Sequence, residues 1–421
     1  MRGVTMNPRV LVRPLEAAWQ GVLDEVLAAR KDGSAPSTGD IARLGPRLKE
    51  LSRAYNAGEA EGRRTKLPID ARIAFSFPRD VPKGAGAVRE LVASGLLAPR
   101  DRPLRVLDLG AGLGAMTWGL VRALIASGAG GGGETPGGET PGSSPPRTRE
   151  VDALLVDEDP AILQAAEAIA RAATKLATPV TLRVRTETRS IASFVAKQPA
   201  DVVFLGQVLS EMAPGADPEV RVAEHVTILR RLLDTATAAD GALVVVEPAL
   251  RERTRHLQSV RDRLAAEGVT VFAPCLHARP CPTLLVPDAW CHEDLAVDLP
   301  SWVVPLARAA GLRWQGLTFS YLVLRRDGNT MSAAAPYRFR AVSELLRSKG
   351  KAELFVCTEQ GNRERIRRLE RDDGKEHGVL FETLRRGDVV GLRADDPAQS
   401  PVDERGRLNA QLTIDVGHLR Q

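Results

Sequence analysis

The sequence predicts a doubly wound α/β fold with a mostly parallel sheet, and two observations carry this prediction. First, Leu104–Leu109 is a short apolar run, followed by a turn with glycines at 110, 112 and 114 and then by a helical pattern. A strand, a glycine-rich turn and a helix in this order open a nucleotide-type α/β sheet. Second, four more short apolar runs follow along the chain, as in successive βα units.

The chain of 421 residues is long enough for three regions. Residues 1–100 carry apolar residues at helical spacing and predict an N-terminal helical domain. Residues 101–328 hold the predicted sheet, and residues 329–421 have the short alternating runs of a small, basic, β-rich C-terminal module. The helical pieces in the first region are Leu15–Arg30, Ile41–Tyr55 and Ala71–Leu97, with a proline-rich turn predicted at Phe77–Pro82.

Composition limits the cellular setting and the partners. No apolar run reaches the roughly 18–20 residues of a membrane span, and the first residues lack the apolar stretch of a secretory signal. We therefore expect a cytoplasmic protein without membrane contact, and a monomer. The net charge is +5 and arginine far outnumbers lysine, which favours a polyanionic partner. In a cytoplasmic chain, four cysteines are more typical of metal ligands or core residues than of a disulfide scaffold.

The glycine-rich turn carries the first candidate binding residues. A dinucleotide fingerprint places its third glycine one residue later than this chain does, and here a carboxylate, Asp108, stands two residues before the first glycine. A negative charge at this place suits a cationic ligand better than a pyrophosphate, although a plain glycine turn remains an alternative. The segment Asp108–Gly114 resembles the first motif of the Rossmann-like class I S-adenosylmethionine-dependent methyltransferases. That resemblance implies that the amino-acid end of the cofactor is bound by Asp108, Gly110, Gly112 and Gly114.

The second predicted strand, Ala153–Val156, leads into Asp157 and Asp159. An acid at the end of this strand binds ribose hydroxyls in such folds, at a spacing of about 20 residues from the glycine turn. The spacing here is longer because residues 128–148 are a low-complexity run of Gly, Thr, Ser and Pro, which predicts a flexible insert. The alternative is that the acids cap the next helix. We favour ribose binding for Asp157 and a capping role for Asp159.

Three further strands complete the predicted sheet, at Val180–Val184, Asp201–Leu205 and Gly241–Val246. Glu187, after the third strand, is a candidate for an adenine-side contact. The segment after the fourth strand contains Gln207 and resembles the methyltransferase segment that lies against the cofactor. This segment has neither an N-P-P-Y element nor a Pro-Cys nucleophile, so the sequence identifies no catalytic residue.

The cysteines form the second candidate site. Three of them lie in one proline-rich stretch after the fifth strand, and the fourth lies in an apolar run of the C-terminal region. Four thiolates suit a tetrahedral zinc ion or a cubane iron–sulfur cluster, but the spacing lacks paired C-x2-C motifs. Unrelated buried cysteines are the alternative, and two histidines, His277 and His292, are further potential zinc ligands. The four candidate ligands are Cys275, Cys281, Cys291 and Cys357.

A methyltransferase core followed by the segments APC, PCP, WCH and FSYLVL resembles one family, the methyltransferase-like proteins associated with the mitochondrial ribosomal small subunit, which has bacterial members. The resemblance extends from about Tyr55 through Leu324. It implies a 4Fe–4S cluster on the four cysteines and a role in small-subunit assembly or rRNA methylation. The chain departs from the family pattern at Leu276 and at Glu293-Asp294.

Function and partner remain open between several alternatives. The first is an S-adenosylmethionine-dependent methyltransferase that acts on small-subunit rRNA. The second is a catalytically inactive, cluster-bearing assembly or RNA-binding factor, because no acceptor-activating motif is found. A third is a small-molecule methyltransferase with structural zinc. The arginines between 338 and 371 are expected to contact RNA phosphates, or else to form a salt-bridged surface with the interleaved acids.

Overall fold

The computed structural model describes seven ranges of the chain. Two predicted features fall largely outside them, namely the flexible insert at 128–148 and the predicted helix Ile41–Tyr55, of which only residues 44–50 are described. The described ranges are 8–30, 44–50, 68–98, 100–128, 149–212, 215–331 and 335–416.

The N-terminal region is helical, as predicted. Its helices are α1 (Ala18–Arg30), α2 (residues 44–50), α3 (Ile69–Ala71) and α4 (Phe77–Ala93), and a π-helical turn, Arg72–Ser76, leads directly into α4. The predicted turn at Phe77–Pro82 is wrong, because this segment forms the first turns of α4. Pro78 lies near the start of α4, directly after the π-helical turn, and Pro82 lies inside α4.

The central sheet has the predicted doubly wound order. From one edge to the other its strands run β3-β2-β1-β4-β5-β8-β6, with β7 paired to β8. Strands β1 to β5 are parallel, and β8 is antiparallel to both neighbours. The strands are β1 (Leu104–Leu109), β2 (Arg149–Asp157), β3 (Val180–Thr188), β4 (Ala200–Gly206), β5 (Thr237–Glu247), β6 (Thr270–Ala273), β7 (Glu293–Leu295) and β8 (Leu317–Arg325).

Helices cover both faces of this sheet, which is the arrangement of a class I methyltransferase fold. Parallel strands buried on both sides have nearly continuous apolar sequences. Strand β4 is an example, because it has no exposed residue along its length. Among the described helices, none is long and apolar enough to cross a bilayer. The covering helices are α5 (Ala115–Ala126), α6 (Pro160–Ala173), α7 (Pro218–Thr235), α8 (Arg251–Ala266) and α9 (Val304–Ala309).

A second sheet confirms the predicted β-rich C-terminal region. Its strands run in the order β10-β11-β9-β14-β15-β13, with β12 paired to β11. Phe339, Leu354 and Ile366 lie in its own apolar core. The strands are β9 (Tyr337–Ala341), β10 (Leu346–Ser348), β11 (Lys351–Thr358), β12 (Arg363–Leu369), β13 (His377–Gly378), β14 (Val389–Ala394) and β15 (Leu412–Val416).

Buried charges join the second sheet to the first. Arg340 on β9 donates to Glu90 on α4 at 3.1 Å, and the Tyr321 hydroxyl on β8 donates to the same carboxylate at 3.0 Å. Arg89 on α4 is paired with Glu293 on β7. We call these five residues the buried charge cluster. The two arginines and two glutamates balance in charge. Burying them together between the sheets therefore costs less free energy than burying unpaired charges would.

Candidate cofactor site and cysteine centre

The predicted cofactor-binding residues lie at one edge of the central sheet. Asp108, Asp157 and Glu187 stand at the carboxyl ends of β1, β2 and β3, which are neighbours in the sheet. Gln207 follows the carboxyl end of β4. In open α/β sheets, ligands bind in the crevice outside these strand ends, next to the position where strand order reverses. Here the reversal lies between β1 and β4, beside Asp108.

The three glycines of the turn all have left-handed backbone conformations, with φ of +66° at Gly110, +53° at Gly112 and +77° at Gly114. A side chain at Gly110 would meet Val208 at 2.5 Å, and one at Gly114 would meet Leu155 at 3.0 Å. Glycine is therefore required for both the turn geometry and the close packing. Gly114 then begins α5, whose N-terminal N–H groups face the turn.

Asp108 is almost fully buried, with 1% of its surface exposed. One carboxylate oxygen, Oδ2, accepts hydrogen bonds from the Thr117 hydroxyl at 2.9 Å and from the Thr117 N–H at 3.3 Å. The other oxygen, Oδ1, is buried and has no partner among the described residues. Burial raises the pKa of Asp108 to about 7. An unpaired buried carboxylate oxygen is costly, so the site favours a cationic partner from outside the chain.

Asp157 and Asp159 occupy different positions, as the sequence suggested. Asp159 caps α6 by accepting from the Ala161 N–H at 3.0 Å. Asp157 instead accepts from the Gly112 N–H at 2.9 Å, which ties the second strand to the glycine turn. Its contact with a ribose stays a prediction, as does the adenine-side contact of Glu187, whose carboxylate is paired with Arg189 at 2.7 Å.

The segment after β4 is held in an unusual conformation. Gln207 has a φ of +61°, a value that non-glycine residues rarely adopt, and its N–H donates to the Val246 carbonyl at 2.6 Å. Glu247, at the end of β5, accepts from the N–H groups of Leu209 at 2.9 Å and Ser210 at 3.2 Å. Burial raises the pKa of Glu247 to about 7. Glu247 was not among the predicted site residues, although it has the signal that identified Asp108 and Asp157, an acid at a strand end.

Three cysteines of one stretch share a cavity, and the fourth, Cys357, lies nearby although it is distant in the chain. Cys275, Cys281 and Cys291 line a single cavity of about 50 Å³, and the cavity wall also includes Arg340 of the buried charge cluster. Cys357 reaches the same place from β11, where its sulfur lies 3.4 Å from Nε2 of His277. All four thiols are free.

Helix α8 holds the cysteine-bearing loops through its polar side chains. Arg255 donates to the carbonyls of Thr283, Leu284, Val286 and Ala289 at 2.8–3.1 Å. Further along the helix, Gln258 donates to the Cys291 carbonyl at 3.2 Å, and Asp262 accepts from the Cys281 N–H at 2.8 Å. Arg261, buried between them, donates to the carbonyls of His277 and Arg279. The backbone around the thiols is thus fixed by hydrogen bonds from one rigid helix.

The thiols influence one another electrostatically. Burial, followed by the neighbouring Cys281 and Cys275, raises the pKa of Cys291 to about 12. Burial and the other three cysteines raise the pKa of Cys357 as well. Within the described ranges, no group of three or more His, Cys, Asp or Glu side chains is placed to hold a metal ion. The four-cysteine ligand set therefore stays a prediction.

The arginines of the C-terminal region are mostly paired with acids. Arg338 pairs with Glu359, Arg347 pairs with Glu382 at 3.3 Å, and the buried Arg368 pairs with Glu376 at 2.6 Å. These contacts favour the salt-bridged interpretation for these residues. Arg363 differs, because its guanidinium lies over the Phe355 ring at 4.6 Å from the ring centre.

Comparison with known proteins adds a family and several similar folds. The family model described as "Mitochondrial small ribosomal subunit Rsm22" matches residues 144–389, more than half of the chain. No curated protein matches the chain.

Solved structures with a similar fold include magnesium protoporphyrin IX methyltransferase (ChlM) from Synechocystis PCC 6803 with bound S-adenosylmethionine. It is 15% identical, with a TM-score of 0.31, and the match covers 66% of this chain and 97% of that one. The plantazolicin methyltransferase BpumL in complex with S-adenosylhomocysteine is 10% identical, with a TM-score of 0.32 and coverage of 67% and 99%. The 16S rRNA methylase ArmA is 20% identical, with a TM-score of 0.24 and coverage of 48% and 76%. At these values the likeness carries no argument about ligand or activity.

Proposed function

The chain belongs to the Rsm22 family, described as mitochondrial small ribosomal subunit proteins, and on this premise we propose that it is a methyltransferase-like protein of the ribosomal small subunit. In this proposal it binds S-adenosylmethionine at the glycine turn and a 4Fe–4S cluster at the four cysteines. The observation that carries the first part is the unpartnered, buried Oδ1 of Asp108 beneath the turn. The second part rests on the four free thiols.

The methionine end of S-adenosylmethionine would supply a cationic partner for the unpaired oxygen of Asp108. Its ammonium group is a cationic hydrogen-bond donor for the Asp108 carboxylate, and charge-assisted bonds of this kind are about twice as strong as neutral ones. Asp157 and Glu187 stand at the ends of the next two strands, where the ribose and adenine of an extended nucleoside would follow. Gln207, which has a positive φ, follows β4 on the other side of β1.

The donor set at the cysteine centre fits an iron–sulfur cluster. Thiolates are the ligands that such clusters use, and three of these thiols line a cavity between them. Arg340 in the cavity wall would offset part of the negative charge of a thiolate-ligated cluster. Cys275, Cys281, Cys291 and Cys357 would hold the cluster, which would act as a cross-link between the two sheets.

Methyl transfer requires mainly that donor and acceptor be held in line, and alignment can supply about 7–11 kcal/mol. In this proposal residues 101–328 form the cofactor-binding domain, between an N-terminal helical domain (1–100) and an RNA-contacting C-terminal module (329–421). The exposed arginines of that module, Arg363 over Phe355 among them, suit phosphate and base contacts with rRNA.

One observation favours a second candidate function, a cluster-bearing assembly factor that binds the cofactor without methyl transfer. The buried acid nearest the end of β4, Glu247, uses its carboxylate oxygens to accept backbone N–H groups of Leu209 and Ser210. That carboxylate is a structural clamp in this arrangement and is poorly suited to act as a base toward an acceptor.

Two experiments test the proposal. Purified small subunits and their precursors are incubated with S-adenosylmethionine labelled in the methyl group, using the wild-type protein and the Asp108→Asn variant. We expect label in rRNA with the wild type and none with the variant. Cofactor binding without transfer, together with unchanged rRNA modification in a deletion strain, would support the assembly factor and overturn the enzyme.

The second experiment concerns the metal. Protein purified anaerobically is analysed for iron, acid-labile sulfide and zinc. We expect about four irons and four sulfides per chain. One equivalent of zinc without sulfide would overturn the cluster and leave the methyltransferase-like fold with a structural zinc site.

A further inference from the structure

Arg72 stands over the glycine turn from a neighbouring part of the fold. It is the first residue of the π-helical turn Arg72–Ser76, which joins α3 to α4. One guanidinium nitrogen, Nη2, lies 3.1 Å from the position that a Cβ of Gly112 would occupy. Apart from Gly112 and its two chain neighbours, no other described residue has an atom within 4 Å of that position. The space above Gly112 is therefore bordered by a guanidinium and is otherwise open.

The guanidinium of Arg72 is half-buried and yet unused. Within the ranges that the structure describes, its side chain has neither an ion pair nor a hydrogen-bond partner. Most other arginines that touch the core are paired, for example Arg89 with Glu293. A half-buried guanidinium has five donors in a planar fork, a geometry that matches a carboxylate in a bidentate manner. The π-helical turn that carries it is a rare backbone form that is frequent at functional sites.

Two groups of opposite charge thus border one turn, and among the described residues the Oδ1 oxygen of Asp108 and the guanidinium of Arg72 have no partner. Asp108 offers the buried oxygen Oδ1 at the start of the turn, and Arg72 offers its guanidinium at the central glycine. A ligand group that satisfies both must carry a cation and an anion close together. An α-amino acid group, with its ammonium and carboxylate on one carbon, has this arrangement.

We propose that Arg72 binds the carboxylate of the methionine moiety of S-adenosylmethionine and thereby selects ligands that carry a complete amino-acid group. This inference rests on the proposed function, since it assigns a specificity-determining residue to the same site. Asp108 binds the ammonium and Arg72 the carboxylate, so that loss of either ligand charge weakens binding. The role of Arg72 was not visible in the sequence, because residues 72 and 112 are brought together only by the packing of α4 against α5.

The test compares two ligands that differ only in the carboxylate, S-adenosylmethionine and decarboxylated S-adenosylmethionine. Affinities are measured by isothermal titration calorimetry with the full chain in its wild-type, Arg72→Ala, Arg72→Lys and Arg263→Ala forms. Arg263 is an exposed arginine on α8 and controls for the change in net charge. We expect the wild type to bind S-adenosylmethionine about 10- to 100-fold more tightly than the decarboxylated ligand.

In the Arg72→Ala variant, affinity for S-adenosylmethionine should fall by about the same factor, so that both ligands bind equally. Its affinity for the decarboxylated ligand should equal that of the wild type, which shows that the variant is folded. Arg72→Lys should fall between the two, because an ammonium keeps the charge and loses the fork. Arg263→Ala should behave like the wild type.

Two other outcomes overturn the inference in distinguishable ways. If Arg72→Ala retains the wild-type preference for the carboxylated ligand, Arg72 does not bind the carboxylate, and the proposed function stands without it. This result is also expected if Arg72 contacts an RNA phosphate instead. If the wild type binds neither ligand, the proposed function fails together with the inference.

Discussion

The sulfur of Cys357 lies 3.4 Å from Nε2 of His277, and this contact joins strand β11 of the second sheet to the segment between β6 and β7 of the first. The two residues are 80 positions apart in the chain. Cys357 is also the residue opposite Arg340 in the register between β11 and β9. The cysteine and the arginine therefore face the central sheet from adjacent strands, and the thiol centre and the buried charge cluster form one continuous contact between the two sheets.

Replacing Cys357 should release a bound cluster and loosen this contact. We expect the Cys357→Ser variant to lose iron to a chelator at least about tenfold faster than the wild type, because even changes to groups around the ligands of a metal site cost 10- to 100-fold in affinity. Iron retention is measured after anaerobic purification. Ser348→Ala, an exposed change on the neighbouring strand β10, serves as the control. Equal iron retention in both variants would remove Cys357 from the ligand set.

Removing the charge of Asp108 should stabilise the fold and weaken binding. The pKa of this acid is raised to about 7 by burial, so the folded state holds a proton that the unfolded state loses near pH 4. Stability of the wild type therefore falls between about pH 4 and pH 7 and the penalty is complete above pH 7. The Asp108→Asn variant does not lose stability in this way, because an amide does not ionise.

We expect Asp108→Asn to raise the free energy of unfolding by roughly 1–3 kcal/mol at pH 8, with the difference disappearing near pH 4. Urea denaturation across this pH range measures it. Asp234→Asn, at an exposed position on α7, should show no such pH dependence. A constant difference between Asp108→Asn and the wild type at all pH values would contradict the buried, unpaired state of this carboxylate.

Arg340 should matter far more for stability than a surface arginine of the same sheet. The Arg340→Met variant leaves Glu90 without one of its buried partners, and breaking a buried pair of this kind costs about 3–5 kcal/mol. Arg347→Met breaks an exposed pair with Glu382 and should cost less than about 1 kcal/mol. Both values come from chemical denaturation at neutral pH. Similar losses in the two variants would mean that the sheets do not share a dry, charged contact.

Arg255 should control the order of the loop between Cys281 and Cys291. Its guanidinium donates to four carbonyls of that loop, and a lysine can reach few of them at once. In the Arg255→Lys variant we expect amide hydrogens of residues 283–290 to exchange about 10- to 100-fold faster, as measured by mass spectrometry. Arg251, on the same helix, contacts this loop through an exposed pair with Asp288. Its replacement by lysine should leave exchange unchanged.

Much of the central sheet could be predicted from the sequence because its strands are buried on both faces. The predicted Leu104–Leu109 coincides with β1, and the other four predicted strands lie within β2 to β5. The observed strands extend further into polar residues, such as Arg149 at the start of β2, which donates to the Leu97 carbonyl. Tertiary partners of this kind lengthen a strand beyond its apolar run and have no local signal.

The candidate sites divide in the same way. The places of Asp108, Asp157 and the glycines at one edge of the sheet could be predicted, because each is defined by its position relative to a strand end, and their contacts with a cofactor stay predictions. Glu247 has the same signal, an acid at a strand end, but was not among the predicted site residues. Arg72 and the four loop-holding positions of α8 could not be predicted, since their roles arise from packing between distant segments. The segment Phe77–Pro82 was misassigned because prolines predict a break, whereas α4 contains Pro78 near its start and Pro82 in its interior.

The buried charge cluster also bears on how the chain is made. Glu90 and its partner Arg340 are separated by 250 residues. At a synthesis rate of about 5–20 residues per second, roughly 12–50 seconds pass between the emergence of the first and the second from the translating ribosome. During that delay Glu90 has only Arg89 of its own helix as a charged partner and lacks Arg340, so this contact between the two sheets can form only when the last quarter of the chain has been translated.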